Sequence, residues 1–547
     1  MRANYVFVVG GVISGLGKGI VTASIGRILK SKGFNVTAIK IDPYLNYDAG
    51  TLRPTEHGEV WVTDDGGEID QDLGHYERFL DVDISKLHNI TTGQVYSAVI
   101  NRERAGKYLG KTVQPIPHIT DEIKSRLRSV AEKTKADFIL VEIGGVVGDY
   151  ENILFLEAAR QMKLEDNGVL FVHVTYLPVV SSLGEMKTKP TQHSVKALQG
   201  LGVQPDFIVC RSSATIDEPR KEKIALFCNV RKDDIISDPD IDNIYKVPLL
   251  FEEQDLGNKI LHKLNLDPRK SNLEDWRGFT EHANLGKHVM IGIVGKYFDT
   301  GDFNLPDSYV SVIEAVKHAA AANSVRADIR WLNSKDFEGK DANLGALKEV
   351  NGIIVPGGFG SSGVEGKIAA IRYARENNTP YLGLCFGLQL AVVEFARNAC
   401  GLEDAHSTEI NPGTKNPVVD FLPWQKKLIE ESKYGATMRL GGQMIVIKPG
   451  TLAHKLYGRD RVVERFRHRY EINPQYVETL EKNGFVFSGQ ADEKHTHGER
   501  VMQIGELPQS GRLKHKFFIG TQFHPEFTSR PLKPNPMFDG FIKACVG

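Results

Sequence analysis

The chain has 547 residues, and its 68 basic and 69 acidic side chains give a formal net charge of −1. At roughly 100–200 residues per domain, this length predicts two or three domains. The 41% of hydrophobic residues is enough for large cores. The balanced charge argues against a general nucleic-acid-binding protein, which would carry a basic surplus. No apolar run reaches the roughly 18 residues of a membrane-spanning helix, so no membrane partner is expected.

The five cysteines are widely spaced, and no two of them form a C-x-x-C pair. This pattern argues against a zinc site or a disulfide framework and favours a reducing, cytoplasmic location. The apolar run after Arg2 resembles a signal peptide superficially. It continues, however, into a glycine-rich loop and a lysine, without a small-residue cleavage site. We therefore interpret this run as a buried first strand.

Short apolar runs alternate with helical stretches through the first half of the chain. Continuous apolar runs, unlike alternating ones, are typical of strands that are buried on both faces of a parallel sheet. The predicted strands of this half cover residues 5–9, 36–41, 138–143, 169–174 and 207–210. The first half is therefore expected to be one α/β domain, over residues 1–270.

A polar segment with several Pro, Asn and Gly residues predicts a linker at 271–287. The apolar pattern then restarts, and the predicted strands cover residues 289–294, 326–332, 352–355, 381–384 and 517–522. The sequence thus predicts a second α/β domain over residues 288–547, and in each domain a mostly parallel sheet flanked by helices. The charged stretch 404–433 lacks periodicity and predicts an insertion or a flexible loop.

The first predicted strand runs into the loop GGVISGLGKG and then into a predicted helix over residues 20–32. Backbone N–H groups of such a loop can surround a phosphate, and the helix N-terminus and Lys18 add positive charge. The match to G-x-x-x-x-G-K-[ST] is imperfect. Val12 stands at the first glycine position, and Gly19 replaces the hydroxyl residue that usually binds magnesium. The order of strand, loop, lysine and helix still favours a phosphate-binding loop over a close-packed turn.

Charged residues at or near predicted strand ends indicate the rest of a nucleotide site. Lys40 ends the second predicted strand, where ligands bind in open α/β sheets. Glu142 follows four apolar residues and precedes two glycines, so it is expected to point into a cleft. Asp72 lies among several acids, and by spacing alone it equally fits a surface turn. Because Mg²⁺ takes carboxylate and phosphate oxygens, Asp72 and Glu142 are candidate metal ligands.

Residues 185–193, with the sequence EMKTKPTQH, precede a helix predicted at 194–201. Pro190 suits a first helical turn. Two lysines and two hydroxyl side chains just before a helix N-terminus form a good anion site. A solvated charge cluster is an equally good interpretation, and Lys223, alone in a helical stretch, carries no signal by itself.

The second half contains G-x-C-x-G around Cys385, between a predicted strand and an apolar helix. This is the nucleophile-elbow pattern with cysteine in place of serine, and the helix N-terminus favours the thiolate. Near the end of the chain, a predicted strand runs into FHPE, where His524 can pair with the thiol and Glu526 can orient the imidazole. The segment PGGFG at 356–360 offers backbone N–H groups for an oxyanion hole.

The elbow, the HPE motif and PGGFG resemble those of class I glutamine amidotransferases, over roughly residues 288–547. The motifs of the first half resemble CTP synthases: GGVISGLGKG, KIDPYLN, HGEVWVTDDGGE, DLGHYERF, EIGGVVGDYE and GEMKTKPTQHSV. The resemblance covers essentially the whole chain, and that family shares the imperfect phosphate loop. It implies an N-terminal P-loop-like fold similar to dethiobiotin synthetase. In that family ATP phosphorylates O4 of UTP, and ammonia from glutamine displaces the phosphate to give CTP.

The resemblance also implies a role for individual residues. ATP would contact Gly15, Leu16, Gly17, Lys18, Gly19, Ile20, Lys40, Asp72, Pro239, Asp240 and Ile241. UTP or CTP would contact Ser14, Asp149, Tyr150, Glu151, Lys187, Thr188, Lys189, Pro190, Thr191, Gln192 and Lys223. Glutamine would contact Gly358, Phe386, Gly387, Leu388, Gln389, Glu409 and Arg469. Asp72 and Glu142 would hold Mg²⁺, and Cys385, His524 and Glu526 would be the catalytic triad.

Further expectations follow from the same resemblance. His57 and Val60 would lie near an ammonia passage, and residues 434–441 are a candidate region for activation by GTP. Overlapping sites for the substrate and product triphosphates would explain feedback by CTP. The positions Ser361, Ser362 and Phe386 would tune the affinity for glutamine or the response to GTP. The expected assembly is a homotetramer built through the first domain, with nucleotide sites shared between subunits, and filaments are known in the family.

Two alternatives stay open from the sequence. One is another ATP-dependent, glutamine-fed ligase acting on a carboxylate, which the cradle of lysines and hydroxyls at 187–192 argues against. The other is a non-catalytic, filament-forming scaffold. A scaffold of that kind is expected to have lost Cys385, Lys18 or Lys40, and all three are present.

Overall fold

The computed structural model describes residues 3–53, 58–180, 185–282, 286–295, 299–300, 303–304, 309–339, 343–358, 361–430, 438–492, 496 and 498–547. By their contacts these residues form two compact units. One unit consists of Met1–Thr51 and Glu68–Thr280, and the other consists of Leu52–Gly67 and Glu281–Gly547. None of the described helices combines the length and the apolar character needed to cross a membrane.

Seven parallel strands form the central sheet of the first unit. They are β1 (Asn4–Gly10), β2 (Val36–Asp42), β3 (Asn89–Thr91), β4 (Phe138–Ile143), β5 (Val169–Tyr176), β6 (Phe207–Ser212) and β7 (Ile235–Pro239). Their order across the sheet is β7-β6-β5-β1-β4-β2-β3. The five strands that the apolar runs predict are confirmed. All residues of β2 and β4 are buried, as expected for a sheet covered on both faces.

Helices supply the crossovers that parallel strands require. They are α1 (Lys18–Ser31), α2 (Asp72–Leu80), α3 (Thr92–Arg104), α4 (Thr120–Thr134), α5 (Ile153–Glu165), α6 (Lys189–Gly200), α7 (Glu218–Cys228), α8 (Val247–Glu253), α9 (Leu256–Lys263) and α10 (Glu274–His282). Because all strands of the sheet run in one direction, their carboxyl ends share one edge, and the loops that precede α1 and α6 lie at that edge.

A mixed sheet of nine strands forms the centre of the second unit. Its strands are β8 (His288–Gly295), β9 (Arg326–Asn333), β10 (Gly352–Val355), β11 (Tyr381–Leu384), β12 (Arg439–Ile447), β13 (Arg461–His468), β14 (Val486–Ala491), β15 (Met502–Glu506) and β16 (Phe518–Thr521). Their order is β9-β8-β10-β11-β16-β15-β14-β12-β13. The first five strands of that order are parallel, and the remaining pairs are antiparallel. The five predicted strands are the parallel ones, and the α/β fold class is confirmed in both units.

The helices of the second unit pack apolar faces against this sheet. They are α11 (Val310–Ala322), α12 (Val364–Glu376), α13 (Phe386–Asn398), α14 (Pro423–Glu430), α15 (Leu452–Tyr457), α16 (Pro474–Lys482) and α17 (Pro536–Val546). Short strands also occur in the described residues, at Trp61–Val62, Glu68–Ile69, Val179–Val180, Glu185–Met186, Asp299–Thr300, Phe303–Asn304, Ala405–Ser407, Asn416–Asp420 and Glu471–Ile472.

Two features differ from the sequence-based expectations. The prediction of an insertion or flexible loop at 404–433 is wrong for residues 404–430. Two of its segments, Ala405–Ser407 and Asn416–Asp420, pair as parallel strands, and α14 follows them. The predicted linker contains α10, whose buried Trp276 donates its indole N–H to the carbonyl of Tyr245 at 2.7 Å. The domain bounds 1–270, 271–287 and 288–547 stay predictions.

Candidate active sites

The glycine-rich loop connects β1 to α1 at the carboxyl edge of the first sheet. Gly15 and Gly17 have φ angles of 74° and 79°, in the left-handed region that favours glycine. Lys18 folds back beneath the loop, and its Nζ donates to the carbonyl of Gly145 at 3.0 Å. A Cβ on Gly10 would lie 2.7 Å from Cδ of Lys18, so glycine is required there. The loop is thus closed around its own lysine, in the arrangement that the sequence predicts.

The glycine at position 19 has a direct structural reason. A Cβ placed on Gly19 would lie 2.4 Å from Oδ1 of Asp72, the first residue of α2. The serine or threonine of the usual phosphate loop therefore has no room here. The carboxylate of Asp72 thus lies beside the loop, close to where that hydroxyl would be.

The buried Lys40 is the centre of a group of four carboxylates, two of them buried and two partly exposed. Its Nζ lies 3.6 Å from Asp42, 3.5 Å from Asp70 and 3.3 Å from Glu142, and it also contacts Asp72. Burial alone would lower the pKa of Lys40, but these four carboxylates outweigh it and hold the pKa well above its ordinary value. The sequence singles out two of the four acids. Asp42 was missed, although it follows Lys40 at the end of a parallel strand.

The four carboxylates outnumber the ammonium groups beside them. Burial raises the pKa of Asp42 to about 7 and also raises the pKa of Glu142. The hydroxyl of Tyr76 donates to Glu142 and fixes one of its oxygens. Burial lowers the pKa of Lys18, and repulsion from Lys40 lowers it further. The site therefore has negative charge in excess, a state that another cation would relieve.

The donors of this site fit Mg²⁺. Among the described residues, no three acidic, histidine or cysteine side chains already surround a vacant metal position, because Lys40 occupies the space between the acids. Mg²⁺ commonly takes one or two carboxylates, with phosphate and water oxygens completing its shell. The all-oxygen donor set around Asp72 and Glu142, with its excess negative charge, has that character.

The predicted triphosphate cradle lies at the start of α6. The helix begins at Lys189, so the predicted start at 194 is wrong by five residues, while Pro190 lies in the first turn as expected. The Nε2 of Gln192 donates to the hydroxyl of Thr188 at 3.1 Å, which orders that first turn. Lys187 forms an ion pair with Glu185 at 2.6 Å. The buried hydroxyl of Thr191 contacts Thr175 on β5 at 3.1 Å, so it anchors the helix rather than facing solvent.

The other residues expected at the nucleotide sites lie near the same edge. Tyr150, flanked by Asp149 and Glu151, follows β4 and is exposed. Pro239, Asp240 and Ile241 stand at the end of β7, where Asp240 pairs with Arg211 at 2.9 Å. Lys223 is exposed on α7, which packs against α6. Ser14 and Leu16 belong to the phosphate loop, and Ile20 to the first turn of α1.

A buried histidine beneath the loop was missed from the sequence. His173 on β5 makes a 2.7 Å hydrogen bond with the hydroxyl of Ser194 on α6. A Cβ on Gly11 would lie 1.4 Å from that hydroxyl oxygen. Burial lowers the pKa of His173 to about 3, so the ring is neutral. Its position inside an apolar run, VLFVHVTY, is the signal that would have found it.

The nucleophile elbow of the second unit has the expected shape. Cys385, between β11 and α13, has φ 51° and ψ −98°, a strained conformation for a residue with a side chain. A Cβ on Gly383 would lie 2.8 Å from the carbonyl carbon of Gly387, and a Cβ on Gly387 would lie 2.2 Å from the carbonyl oxygen of Val355. The two glycines of G-x-C-x-G are therefore required by close backbone packing.

His524 and Glu526 stand beside this thiol. The Nδ1 of His524 is 2.7 Å from Oε1 of Glu526, and both side chains are buried. Burial alone would lower the pKa of His524, but Glu526 first and Cys385 second outweigh it and raise the pKa to about 10. A Cβ on Gly357 would lie 2.9 Å from the ring of His524 and 3.7 Å from Cβ of Cys385. The three side chains therefore form one connected group.

Further groups surround the thiol. The side-chain amide of Gln522 lies 3.6 Å from Sγ of Cys385, and the carbonyl of Arg467 lies 3.8 Å from it. Gln389, in the first turn of α13, donates to the carbonyl of Tyr470 at 2.7 Å. Gln522 was missed from the sequence, although it lies two residues before the histidine of the HPE motif.

The remaining residues expected to bind glutamine lie in the same unit. Phe386 and Leu388 are buried, and the Nζ of Lys367 lies 5.4 Å from the centre of the Phe386 ring. The N–H of Glu409 donates to the hydroxyl of Ser407 at 3.2 Å. Gly358 has an extended φ of 158°, and the carbonyl of Arg469 accepts from Gln425 at 2.8 Å. Ser361 and Ser362 are exposed on the surface of the unit.

Some expected positions lie outside the described residues. They are His57 of the predicted ammonia passage, Phe359 and Gly360 of PGGFG, and residues 434–437 of the predicted GTP region. Val60 is described and buried. Of the predicted GTP region, Arg439 is described, and its guanidinium pairs with the buried Glu471 at 2.6 Å. His468 also contacts Glu471, at 2.7 Å.

Comparisons with known proteins agree with this division into two sites. The family described as "CTP synthase N-terminus" matches residues 4–266, and "Glutamine amidotransferase class-I" matches residues 304–544. A CTP synthase of Thermococcus gammatolerans is 56% identical over 99% of this chain and 98% of its own length. A CTP synthase of Thermus thermophilus is 50% identical over 99% of this chain and 97% of its own length.

Among solved structures, the glutaminase domain of Trypanosoma brucei CTPS with bound acivicin is 38% identical. The matched region spans 47% of the present chain and 94% of the Trypanosoma brucei domain, with a TM-score of 0.43. Identity above one half over nearly the full length of curated relatives establishes the family. The chain belongs to the CTP synthases, enzymes that aminate UTP to CTP with ATP and with ammonia released from glutamine.

Proposed function

We propose that the two units divide this reaction, with phosphorylation and amination of UTP in the first unit and release of ammonia from glutamine in the second. The observation that carries the proposal is the connected group of Cys385, His524 and Glu526. It is a complete set for thiol catalysis, and it belongs to a different unit from the phosphate loop and its lysines.

In the first unit, Lys18 and the loop N–H groups would bind the phosphates of ATP, and Lys40 would balance charge on the group in transfer. Bound Mg²⁺ would neutralise phosphate charge, held by Asp72 and Glu142. Lys40 contacts both of these acids, so ligands that draw the acids away would release its ammonium towards the phosphoryl group. Pro239, Asp240 and Ile241 would contact the adenine of ATP.

The cradle at the start of α6 would hold the triphosphate of UTP. The backbone N–H groups of the first turn of α6, with Lys187, Lys189 and Lys223, offer positive potential to a polyphosphate. CTP has the same triphosphate, so it would compete for the same groups, which gives feedback without a separate site. Asp149, Tyr150 and Glu151 would contact the base and ribose.

In the second unit, Cys385 would attack the amide carbon of glutamine as a thiolate. His524 would hold the proton and deliver it to the departing ammonia, and Glu526 would fix the ring through Nδ1. The Nε2 of His524 is buried without a hydrogen-bond partner among the described residues, so it is available for that transfer. The resulting thioester would then be hydrolysed to glutamate.

Regulation and assembly extend the proposal. GTP would activate glutamine use from a site that includes part of residues 434–441, which continue into the buried pair of Arg439 and Glu471. A homotetramer built through the first unit would cover large apolar side chains that this unit exposes, including Leu109, Tyr150 and Leu226. A cytoplasmic location stays a prediction; all five cysteines are free thiols, as their spacing predicts.

The test is product formation by the purified protein with Mg²⁺, ATP and UTP, supplied with either glutamine or ammonia, and with or without GTP. We expect CTP from both nitrogen sources, and a stimulation by GTP that is confined to glutamine. Synthesis from ammonia alone, even with GTP present, would contradict the role of the triad. Failure with both sources would contradict the assignment of the first unit.

A further inference from the structure

Residues Leu52–Gly67 stand between two pieces of the first unit in sequence, yet they belong to the second unit by their contacts. The described part of this segment is well anchored there. The backbone N–H of Ser311 donates to the carboxylate of Glu59 at 3.0 Å. The backbone N–H of Gly442 donates to the carbonyl of Asp64 at 2.9 Å. The segment is therefore a built part of the unit that contains the triad.

Trp61 of this segment is connected to the imidazole of His524 through the ring of Phe527. The ring of His524 stacks on that of Phe527, with centroids 5.1 Å apart and planes inclined by 17°. The ring of Phe527 in turn packs on Trp61, with centroids 5.0 Å apart. Trp61 is 1% exposed, so it cannot move without displacing its neighbours. One face of the imidazole thus rests on Phe527, and Trp61 packs against Phe527 with its plane inclined by 59°.

Arg465 links the same segment to the backbone of His524. Its guanidinium lies 5.6 Å from the Trp61 ring centre, and its Nε donates to Asp64 at 2.5 Å. The carbonyl of Arg465 accepts the backbone N–H of His524 at 2.8 Å. Arg465 is 1% exposed. The segment is therefore connected to His524 by two routes, through Phe527 to the imidazole ring and through Arg465 to the backbone N–H.

We propose that Trp61 and Asp64 are positioning residues for glutamine hydrolysis, and that they hold the His524 imidazole in the plane shared by Glu526 and Cys385. The inference rests on the proposed role of the triad. The imidazole must donate its Nδ1–H to Glu526 and present Nε2 to the thiol, so a tilt of the ring weakens both contacts. Phe527 prevents that tilt only while Trp61 supports it.

A consequence is that the amidotransferase unit is completed by a segment from the N-terminal part of the sequence. Asp70 and Asp72, at the nucleotide site of the first unit, follow Gly67 by three and five residues. The support for His524 is thus joined by a short stretch of chain to residues expected to respond to ATP. Glutamine hydrolysis by Trp61 or Asp64 variants should be impaired whether or not nucleotides are bound, because the contacts that position His524 lie within the second unit.

The experiment compares Trp61→Ala, Trp61→Phe and Asp64→Asn in the full chain with Trp331→Ala as a matched control. Trp331 lies in the same unit on β9, an edge strand three positions from β11 in the sheet, and it packs on Tyr309 at 6.3 Å. Each variant is assayed for CTP formation from glutamine and from ammonia, and for the pH dependence of Cys385 alkylation.

Because a misplaced catalytic group costs on the order of 10²-fold, we expect Trp61→Ala to lower kcat with glutamine by about ten- to a hundredfold. KM for glutamine and synthesis from ammonia should stay within about twofold, and the alkylation profile should shift. Trp61→Phe should restore most of the rate, and Asp64→Asn should show a smaller loss of the same kind. Trp331→Ala should leave the rate and the profile unchanged.

Three results would overturn the inference: an unchanged kcat with glutamine in Trp61→Ala, equal losses with glutamine and ammonia, or an unchanged alkylation profile. If Trp61→Ala does not fold, Asp64→Asn decides in its place, because the Asp64 side chain is half exposed. Failure of the proposed triad is distinguishable, because Cys385→Ala would then still use glutamine.

Discussion

The two active sites differ in how complete they are within one chain. In the second unit, His524 is already hydrogen-bonded to Glu526 and lies beside Cys385, and strained backbone and two close-packed glycines hold the thiol in place. In the first unit, carboxylates enclose Lys40 with negative charge in excess. The comparison shows that the proposed glutamine site is preorganised. In the proposed nucleotide site, by contrast, the charges balance only when bound ligands bring in further charge.

The largest effect is expected from removing the cation at the centre of the nucleotide site. Lys40→Met leaves two buried and two partly exposed carboxylates without their main partner, and a broken buried ion pair costs about 3–5 kcal/mol. We expect CTP synthesis to be lost with both glutamine and ammonia, and the melting temperature to fall. Calorimetry measures the melting temperature, and assays with glutamine and with ammonia measure CTP synthesis.

The control for that variant is Lys32→Met. Lys32 is also buried in the first unit and pairs with Glu252 at 2.7 Å. It lies at the C-terminal end of α1, whereas the phosphate loop precedes the N-terminal end. It should lower stability but keep both activities. If Lys40→Met retained synthesis from ammonia, the central place of Lys40 in phosphoryl transfer would be refuted.

A smaller change tests the carboxylate that replaces the usual hydroxyl. Gly19→Ala places a methyl group 2.4 Å from Oδ1 of Asp72, so the acid must move away from the loop. We expect a loss of about 10²-fold with both nitrogen sources, together with a higher Mg²⁺ requirement. Gly15→Ala is a useful comparison, because nothing lies within 4 Å of a Cβ there although its φ is positive. Gly19 is helical, so strain arises only in Gly15→Ala, and equal effects of the two changes would show that any disturbance of the loop, rather than the displacement of Asp72, causes the loss.

In the preorganised site, Glu526→Gln should affect glutamine use alone. The proton on His524 is bound more tightly in the folded chain, because its pKa is raised from 6.5 to about 10. This pairing therefore stabilises the fold fully below about pH 6.5, and its contribution is lost as the pH rises through about 10. The wild-type enzyme should therefore lose glutamine hydrolysis as the pH rises to about 10.

Glu526→Gln removes the largest of the charges that raise the pKa of His524. We expect kcat with glutamine to fall by about 10²-fold, and the alkaline limb of kcat/KM to move to lower pH. Glutamine hydrolysis between pH 7 and 11 measures both. An alkaline limb that stays in place would mean that another group sets it.

The smallest effect is expected at the edge of the thiol environment. Gln522→Leu removes an amide that lies 3.6 Å from Sγ of Cys385, a weak contact at this distance. The expected loss is about tenfold in kcat with glutamine, or about 1.4 kcal/mol, with no change for ammonia. A loss as large as that of Glu526→Gln would show that the amide contributes as much as the triad acid.

The sequence allowed the parallel strands, the turn of the glycine-rich loop and the sharp turn at Cys385 to be predicted, because continuous apolar runs and glycine spacing are local signals. The antiparallel strands β12–β15 were missed. Their burial alternates or is interrupted by glycines, as in RLGGQMIVI of β12, and their partners are distant in the chain. The role of residues 404–430 was missed for the same reason, since their short strands depend on pairing.

Contacts between residues distant in the sequence also limited how many residues of the candidate sites could be predicted. Lys40 and Glu142 were found because each ends an apolar strand. Asp70 was not singled out, because its closeness to Lys40 depends on how β2 and the start of α2 come together. Asp42 was missed although it lies two residues after Lys40, on the same face of β2. The membership of Leu52–Gly67 in the second unit had no local signal at all, since the segment is continuous with first-unit sequence on both sides.

The most direct test of the central claim assays Cys385→Ala and Lys18→Ala side by side for CTP formation from glutamine and from ammonia. The account predicts that Cys385→Ala loses glutamine use by at least about a thousandfold and keeps synthesis from ammonia. Lys18→Ala should lose both. Loss of ammonia-driven synthesis in Cys385→Ala, or its survival in Lys18→Ala, would contradict the division of the reaction between two sites.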